Sequence, residues 1–124
     1  MPSFGILKAD TLTHSTAGSV DTNYVVEGSA KAWFHYNQSN GSEQVRDSLN
    51  ISSIADNSTG IYTNTFTNNM NNAFYSVTAA TRGNRNQFNT TQGATTGRAY
   101  RTADADNNVI DTDSNCWTTM GDLA

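Results

Sequence analysis

The sequence predicts an all-β protein: an antiparallel β-sandwich of jelly-roll or immunoglobulin-like type, preceded by an extended N-terminal arm. Three observations predict it. Asn and Thr are the two commonest residues; β-branched Thr suits strands, and Asn tolerates the positive φ of turns. From Asn23 onward, turn-forming clusters recur at short intervals, at 37–42, 57–60, 68–72, 83–87, 92–97 and 104–108, a spacing that short sandwich or barrel strands require. Between these clusters the apolar residues alternate, and no stretch repeats them convincingly at i, i+3, i+4 and i+7. Helix is therefore not expected.

In chain order, residues 4–21 read as an arm with one short strand, its apolar content confined to Phe4, Ile6, Leu7 and Leu12. Residues 1–22 are assigned to this arm and 23–124 to the sandwich. In the segment 30–36, Ala32, Phe34 and Tyr36 fall on one face and Lys31, Trp33 and His35 on the other, the pattern of a half-buried strand. Trp33 is the exception on the polar face and marks a second contact surface. The segments 51–56 and 60–66 flank Asn57-Ser58-Thr59-Gly60 and read as a β-hairpin, with Gly60 supplying a left-handed residue. Residues 73–81 set Ala73, Tyr75, Val77 and Ala79 against Phe74, Ser76, Thr78 and Ala80. Residues 98–102 and 115–120 supply two weaker strands.

A chain of 124 residues fits one domain, since single cores usually serve about 100–150 residues. Its hydrophobic share is 35% and its charged share 15%, both below the averages for globular domains. The core is expected to be thin and association with other subunits to supply further burial. A net charge of −4 opposes nucleic-acid binding, which draws on clustered Lys and Arg. No stretch has the apolar length of a membrane span, and the first residues lack a basic segment followed by an apolar one, so no secretion signal is expected. Cys116 stands alone and cannot form an internal disulfide.

Candidate chemistry is sparse. Nucleophilic catalysis would have to combine Cys116 or a serine with His14 or His35, and nothing in the sequence brings them together. Cys116, beside Trp117, reads as a small buried hydrophobe. The acidic stretch 104–113 resembles a calcium loop until the template fails, with Val109 where the turn Gly belongs and Asn115 where the bidentate Glu belongs. It reads as a solvated connection, and neither metal nor cofactor is expected. Arg82, Arg85, Arg98 and Arg101 form the one basic concentration, interleaved with Phe88 and Tyr100, and are expected to meet aspartates of the same or a neighbouring subunit. Trp33, Arg82 and Arg85 are the candidate interface residues. Exposed Trp, Tyr and Asn also suit binding of glycans, without naming a site.

Three runs carry a resemblance. Glu27-Gly28-Ser29-Ala30-Lys31-Ala32-Trp33-Phe34-His35-Tyr36-Asn37, then Val45-Arg46-Asp47-Ser48-Leu49-Asn50-Ile51-Ser52-Ser53-Ile54, then Ala55-Asp56-Asn57-Ser58-Thr59-Gly60-Ile61-Tyr62-Thr63-Asn64-Thr65-Phe66 resemble a tail-fibre-like appendage domain common in marine and cyanobacterial phages. Leu7-Lys8-Ala9-Asp10-Thr11-Leu12 is similar to the start of short tail-fibre-like proteins. Asn64 departs from the pattern, which is usually apolar there, and the chain beyond Arg82 matches loosely. The resemblance implies a virion structural protein without enzymatic activity, assembled in the host cytoplasm. It would be a short tail-fibre-like or capsid-decorating subunit, or else a host receptor- or glycan-binding module of the tail. A homotrimer is expected, attached to other virion proteins through an arm anchored by Phe4, Ile6 and Leu7.

Overall fold

A computed structural model describes residues 8–39, 44–89 and 93–124. The expected arm anchors Phe4, Ile6 and Leu7 lie outside the described residues. From Lys8 the chain forms a hairpin of β1 (Thr11–His14) and β2 (Gly18–Asp21), followed by helix α1 (Thr22–Gly28). Eight strands then follow: β3 (Ala30–Asn37), β4 (Gln44–Leu49), β5 (Ile51–Ser58), β6 (Ile61–Phe66), β7 (Ser76–Thr81), β8 (Asn86–Asn89), β9 (Gly97–Ala103) and β10 (Asn115–Met120). They build two four-stranded sheets, ordered β4-β3-β10-β7 and β5-β6-β9-β8, with every pairing antiparallel. The protein is an all-β sandwich.

The expected arm is corrected at two points. It holds a complete hairpin rather than one strand, and Thr22, its last residue, begins a helix that runs through residues 23–28, which were expected within the sandwich. Local bonds explain both. His14 Nδ1 accepts the N–H of Ala17 at 3.0 Å and closes the β1–β2 turn, where Gly18 takes a φ of 93°. Lys31 Nζ donates to the Val26 and Ser29 carbonyls, placing a cation at the helix C-terminus where the backbone dipole favours it.

Alternation in β3 is as the sequence predicts, with Ala32, Phe34 and Tyr36 buried. The β5–β6 hairpin also forms, but the strand runs on through Ser58, so its turn is only Thr59-Gly60. Gly60 has a φ of 65°, and a Cβ there would lie 2.6 Å from the Thr102 carbonyl oxygen. Any side chain would strain the backbone and collide with β9. Asn50 turns the chain from one sheet to the other between β4 and β5, in the left-handed region at a φ of 57°. Its side chain holds that corner, donating to the Asn68 carbonyl at 3.0 Å and accepting the Asn68 N–H at 2.7 Å. Such corners are how strands switch sheets in a sandwich.

Aromatic rings fill the space between the sheets. Phe34, Tyr36, Tyr62, Tyr100 and Trp117 form one cluster, and Ala32, Phe66, Met70 and Tyr75 another. Tyr100 and Trp117 lie 3.9 Å apart between ring centroids, and Trp117 Nε1 donates to Tyr62 Oη at 2.6 Å. Burial raises the Tyr62 and Tyr100 hydroxyls far above the ordinary tyrosine pKa, and raises Tyr75 as well. Asn115, fully buried, joins both sheets. Its Oδ1 accepts from Gln87 Nε2 at 2.8 Å and Thr102 Oγ1 at 2.9 Å, and its Nδ2 donates to the Tyr36 and Thr112 carbonyls.

Two expectations follow from this core. Replacing Asn115→Ala leaves buried donors and acceptors unpaired in both sheets, and chemical denaturation should show a loss of about 2–4 kcal/mol. A raised tyrosine pKa contributes stability that is complete below the unfolded value of 10.0 and is lost as pH rises above it. The melting midpoint should therefore fall above that pH, with tyrosinate absorbance from Tyr62 and Tyr100 appearing only as the protein unfolds; early ionisation in the folded state would contradict the burial.

Candidate functional site

Three regions of the surface carry the residues singled out in the sequence. The first is the outward face of the β4-β3-β10-β7 sheet. Trp33 lies half-buried there, with Leu49 opposite it on β4 and Thr118 on β10. In the next row His35 faces Asp47 and Cys116. Cys116 is half-buried on this outer face, which corrects its reading as a buried hydrophobe: alternation in β10 gives the inner positions to Asn115, Trp117 and Thr119. His35 Nε2 is 3.1 Å from Ser114 Oγ and 3.4 Å from Arg46 Nη1. A guanidinium only donates, so Nε2 accepts and the ring proton sits on Nδ1. A serine and a histidine thus meet, although the sequence did not show it. Among the described residues no hydrogen bond reaches Nδ1 to orient the ring as a base, and the pair lies on an open sheet face.

The second region is the end of the sandwich where Ser39, just after β3, meets the β5–β6, β7–β8 and β9–β10 connections. A cleft of about 490 Å³ is lined by Tyr36, Val45, Ile54, Asp56, Asn57, Ser58, Thr59 and Asp111. Each carboxylate there is tied by one oxygen. Asp56 Oδ1 accepts from buried Gln38 at 2.9 Å, and Asp111 Oδ1 accepts the Gly60 N–H at 2.6 Å. Arg85 lines a neighbouring cleft of about 390 Å³ with Arg82, Asp111 and Asp113. Arg82 meets Asp113 at 2.8 Å, as expected of the basic group, but both side chains are largely solvated, which limits the pair to about 0–1 kcal/mol. Arg101 lies over the Phe88 ring and bonds to Asn107, while Arg98 lies over Tyr75. Arg82, Arg98 and Arg101 thus each have a separate local partner.

The acidic stretch after β9 is a turn that its own carboxylate closes. Asp104 Oδ1 accepts the N–H groups of Asp106 at 3.0 Å and Asn108 at 2.9 Å. The Asn108 backbone bond is the main reason its carboxyl sits below the ordinary range. Among the described residues, no three His, Cys, Asp or Glu side chains converge as metal ligands would.

The third region is the N-terminal hairpin and helix, and sequence reasoning missed most of it. None of the residues of α1 is buried. Tyr24 is 68% exposed and Val26 60%, with Val25, Leu12 and Val20 exposed beside them. Between hairpin and helix lies a cleft of about 470 Å³ lined by Lys8, Ala9, Asp10, Leu12, Thr22, Val25 and Val26. Thr22 ties the two pieces, its N–H donating to the Asp10 carbonyl at 2.9 Å and its Oγ1 to the Ala9 carbonyl at 2.7 Å. The one signal in the sequence was the contiguous Tyr24-Val25-Val26, too short for a helical period to register.

The chain matches no family model, no curated protein and no solved structure. Function must therefore be argued from these surfaces. Among the described residues no helix is long and apolar enough to cross a membrane.

The Asp104 turn yields a prediction. Its lowered pKa stabilises the fold above the unfolded carboxylate range and ceases to do so as pH falls through the folded value. Asp104→Asn should therefore lower the melting midpoint at neutral pH and narrow its gap from the parent chain in acid. Added calcium should leave the midpoint of both unchanged; a rise with calcium in the parent alone would show a cation at the turn.

Proposed function

We propose that this chain is a non-enzymatic structural subunit of a bacteriophage virion, a short tail-fibre-like or capsid-decorating appendage that attaches through its N-terminal segment. The observation that carries the attachment is the exposure of Leu12, Val20, Tyr24, Val25 and Val26 on a unit of which nothing is buried. A seven-residue helix lies well below the length at which helices are stable alone, roughly 12–15 residues in water. An exposed apolar helix of that size gains its stability by docking into an apolar groove of another protein. The virion assignment is supported by the resemblance of residues 27–37 and 45–66 to the phage appendage domain. Those residues span the end of α1, β3, most of β4, the Asn50 corner and the β5–β6 hairpin.

One observation favours a second reading, a host-glycan-binding module. The cleft beside Asp56 and Asp111 offers tethered carboxylates among Asn57, Ser58 and Thr59, groups that suit sugar hydroxyls.

Deleting residues 1–29 tests the first reading. The remaining sandwich should fold with an all-β circular dichroism spectrum and a cooperative melt, and should fail to join particles assembled in its presence. Normal incorporation would reject attachment through this segment. Retention on immobilised host glycans, abolished by Asp56→Asn, would favour the second reading.

A further inference from the structure

We propose that strand β7 pairs antiparallel with β7 of a second copy of this chain, joining two β4-β3-β10-β7 sheets into one continuous sheet across a two-fold axis. The inference is independent of the virion assignment. An edge strand is a template for further pairing unless charge, proline, a bulge or short length protects it. Three of the four edges of the sandwich are protected. Strand β4 carries Arg46 and Asp47 and is bulged against β3. Strand β5 carries Asp56 and shifts register near both ends. Strand β8 has only four residues.

Strand β7, Ser-Val-Thr-Ala-Ala-Thr, has none of these devices. It is uncharged, lacks proline, and keeps an unbroken register with β10 from Ser76 to Thr81. Thr78, Ala79 and Ala80 are exposed. In an antiparallel ladder alternate N–H and C=O groups point away from the existing neighbour, so the outer side of β7 offers a row of them. Its small side chains let a second strand approach to the usual spacing of about 4.8 Å.

The flanking residues say why the occupant is a second copy. A two-fold axis at Thr78 sets Thr78 against the partner's Thr78, Val77 against the partner's Ala79 and Ser76 against the partner's Ala80. Continuing that register brings Phe74 beside the partner's Arg82, and the symmetry makes this contact twice. Phe74 is 83% exposed, more than any other large hydrophobic residue described. Its N–H donates to Asn72 Oδ1 at 2.8 Å, which fixes the loop that presents it. The Arg82 side chain is 75% exposed and its guanidinium is held by Asp113. A ring and a guanidinium with no other claim on their open faces would meet as a cation–π pair. The pairing is isologous and closes at two copies, which departs from the trimer that the sequence suggests.

Sedimentation equilibrium of the full chain over a wide concentration range tests this. A two-copy species is expected, and hydrogen exchange at residues 76–81 should slow as concentration rises. Thr78→Lys sets two ammonium groups beside the axis and should weaken association about tenfold or more. Phe74→Ala should weaken it too, and Ser53→Lys on the β5 edge should not; circular dichroism checks that each variant is folded. A single-copy species at every concentration would overturn the proposal. So would assembly in threes, or association that Thr78→Lys leaves unchanged.

Discussion

The bond from Trp117 Nε1 to Tyr62 Oη, at 2.6 Å, expresses the constraint under which the whole sandwich is built. Two sheets facing each other leave a gap of about 10 Å, and this chain has few aliphatic residues with which to fill it. Rings do the filling, and most of them carry a polar tip. A buried hydroxyl or indole N–H without a partner costs about 1–3 kcal/mol, and Trp117 and Tyr62 meet that demand for the indole N–H between themselves. Trp117 reaches Tyr62 across the gap because β10, between β3 and β7, faces β6. Tyr100, on the neighbouring strand β9, stacks against the Trp117 ring in the same layer.

Asn115 extends the same logic to a residue without a ring. It stands two positions before Trp117 on the inner face of β10, where a typical sandwich would place an aliphatic residue. There it binds β3, β8, β9 and the loop before β10 with one amide. A fully satisfied polar hub fixes register more strictly than an apolar contact, because a slip of one residue leaves every partner unpaired. Asn64 is a second buried amide, its Oδ1 accepting the Arg98 N–H at 3.2 Å.

How much of this could be read from the chain depended on where each strand lies. Strand β3 sits inside its sheet with one face buried, so its alternation was legible. The β5–β6 hairpin was legible because Gly60 is demanded by a left-handed turn and a close backbone approach. Strand β4 is exposed along nearly its whole length, so Gln44–Leu49 shows no alternation. Strand β8 begins at Asn86, inside a run that reads as a turn, and is held by pairing with β9 rather than by its own pattern. Helix α1 holds three β-branched residues, Thr22, Val25 and Val26, which lower helix propensity and hide it from a reading by pattern. The meeting of His35 with Ser114, far apart in sequence, depends on the pairing of β3 with β10, which local sequence does not reveal.

The eight strands of the sandwich enclose an aromatic core, whereas no residue of the hairpin strands or of the helix before it is buried. The proposed attachment through this segment would give the unit the burial it lacks in the isolated chain. Hydrogen exchange on the purified chain, read at residues 22–28, measures this most directly. The account predicts that these amides exchange nearly as fast as an unstructured peptide while those of β3 and β10 are strongly protected. Protection of residues 22–28 as strong as that of β10 in the isolated protein would show that the helix needs no partner, and would contradict it.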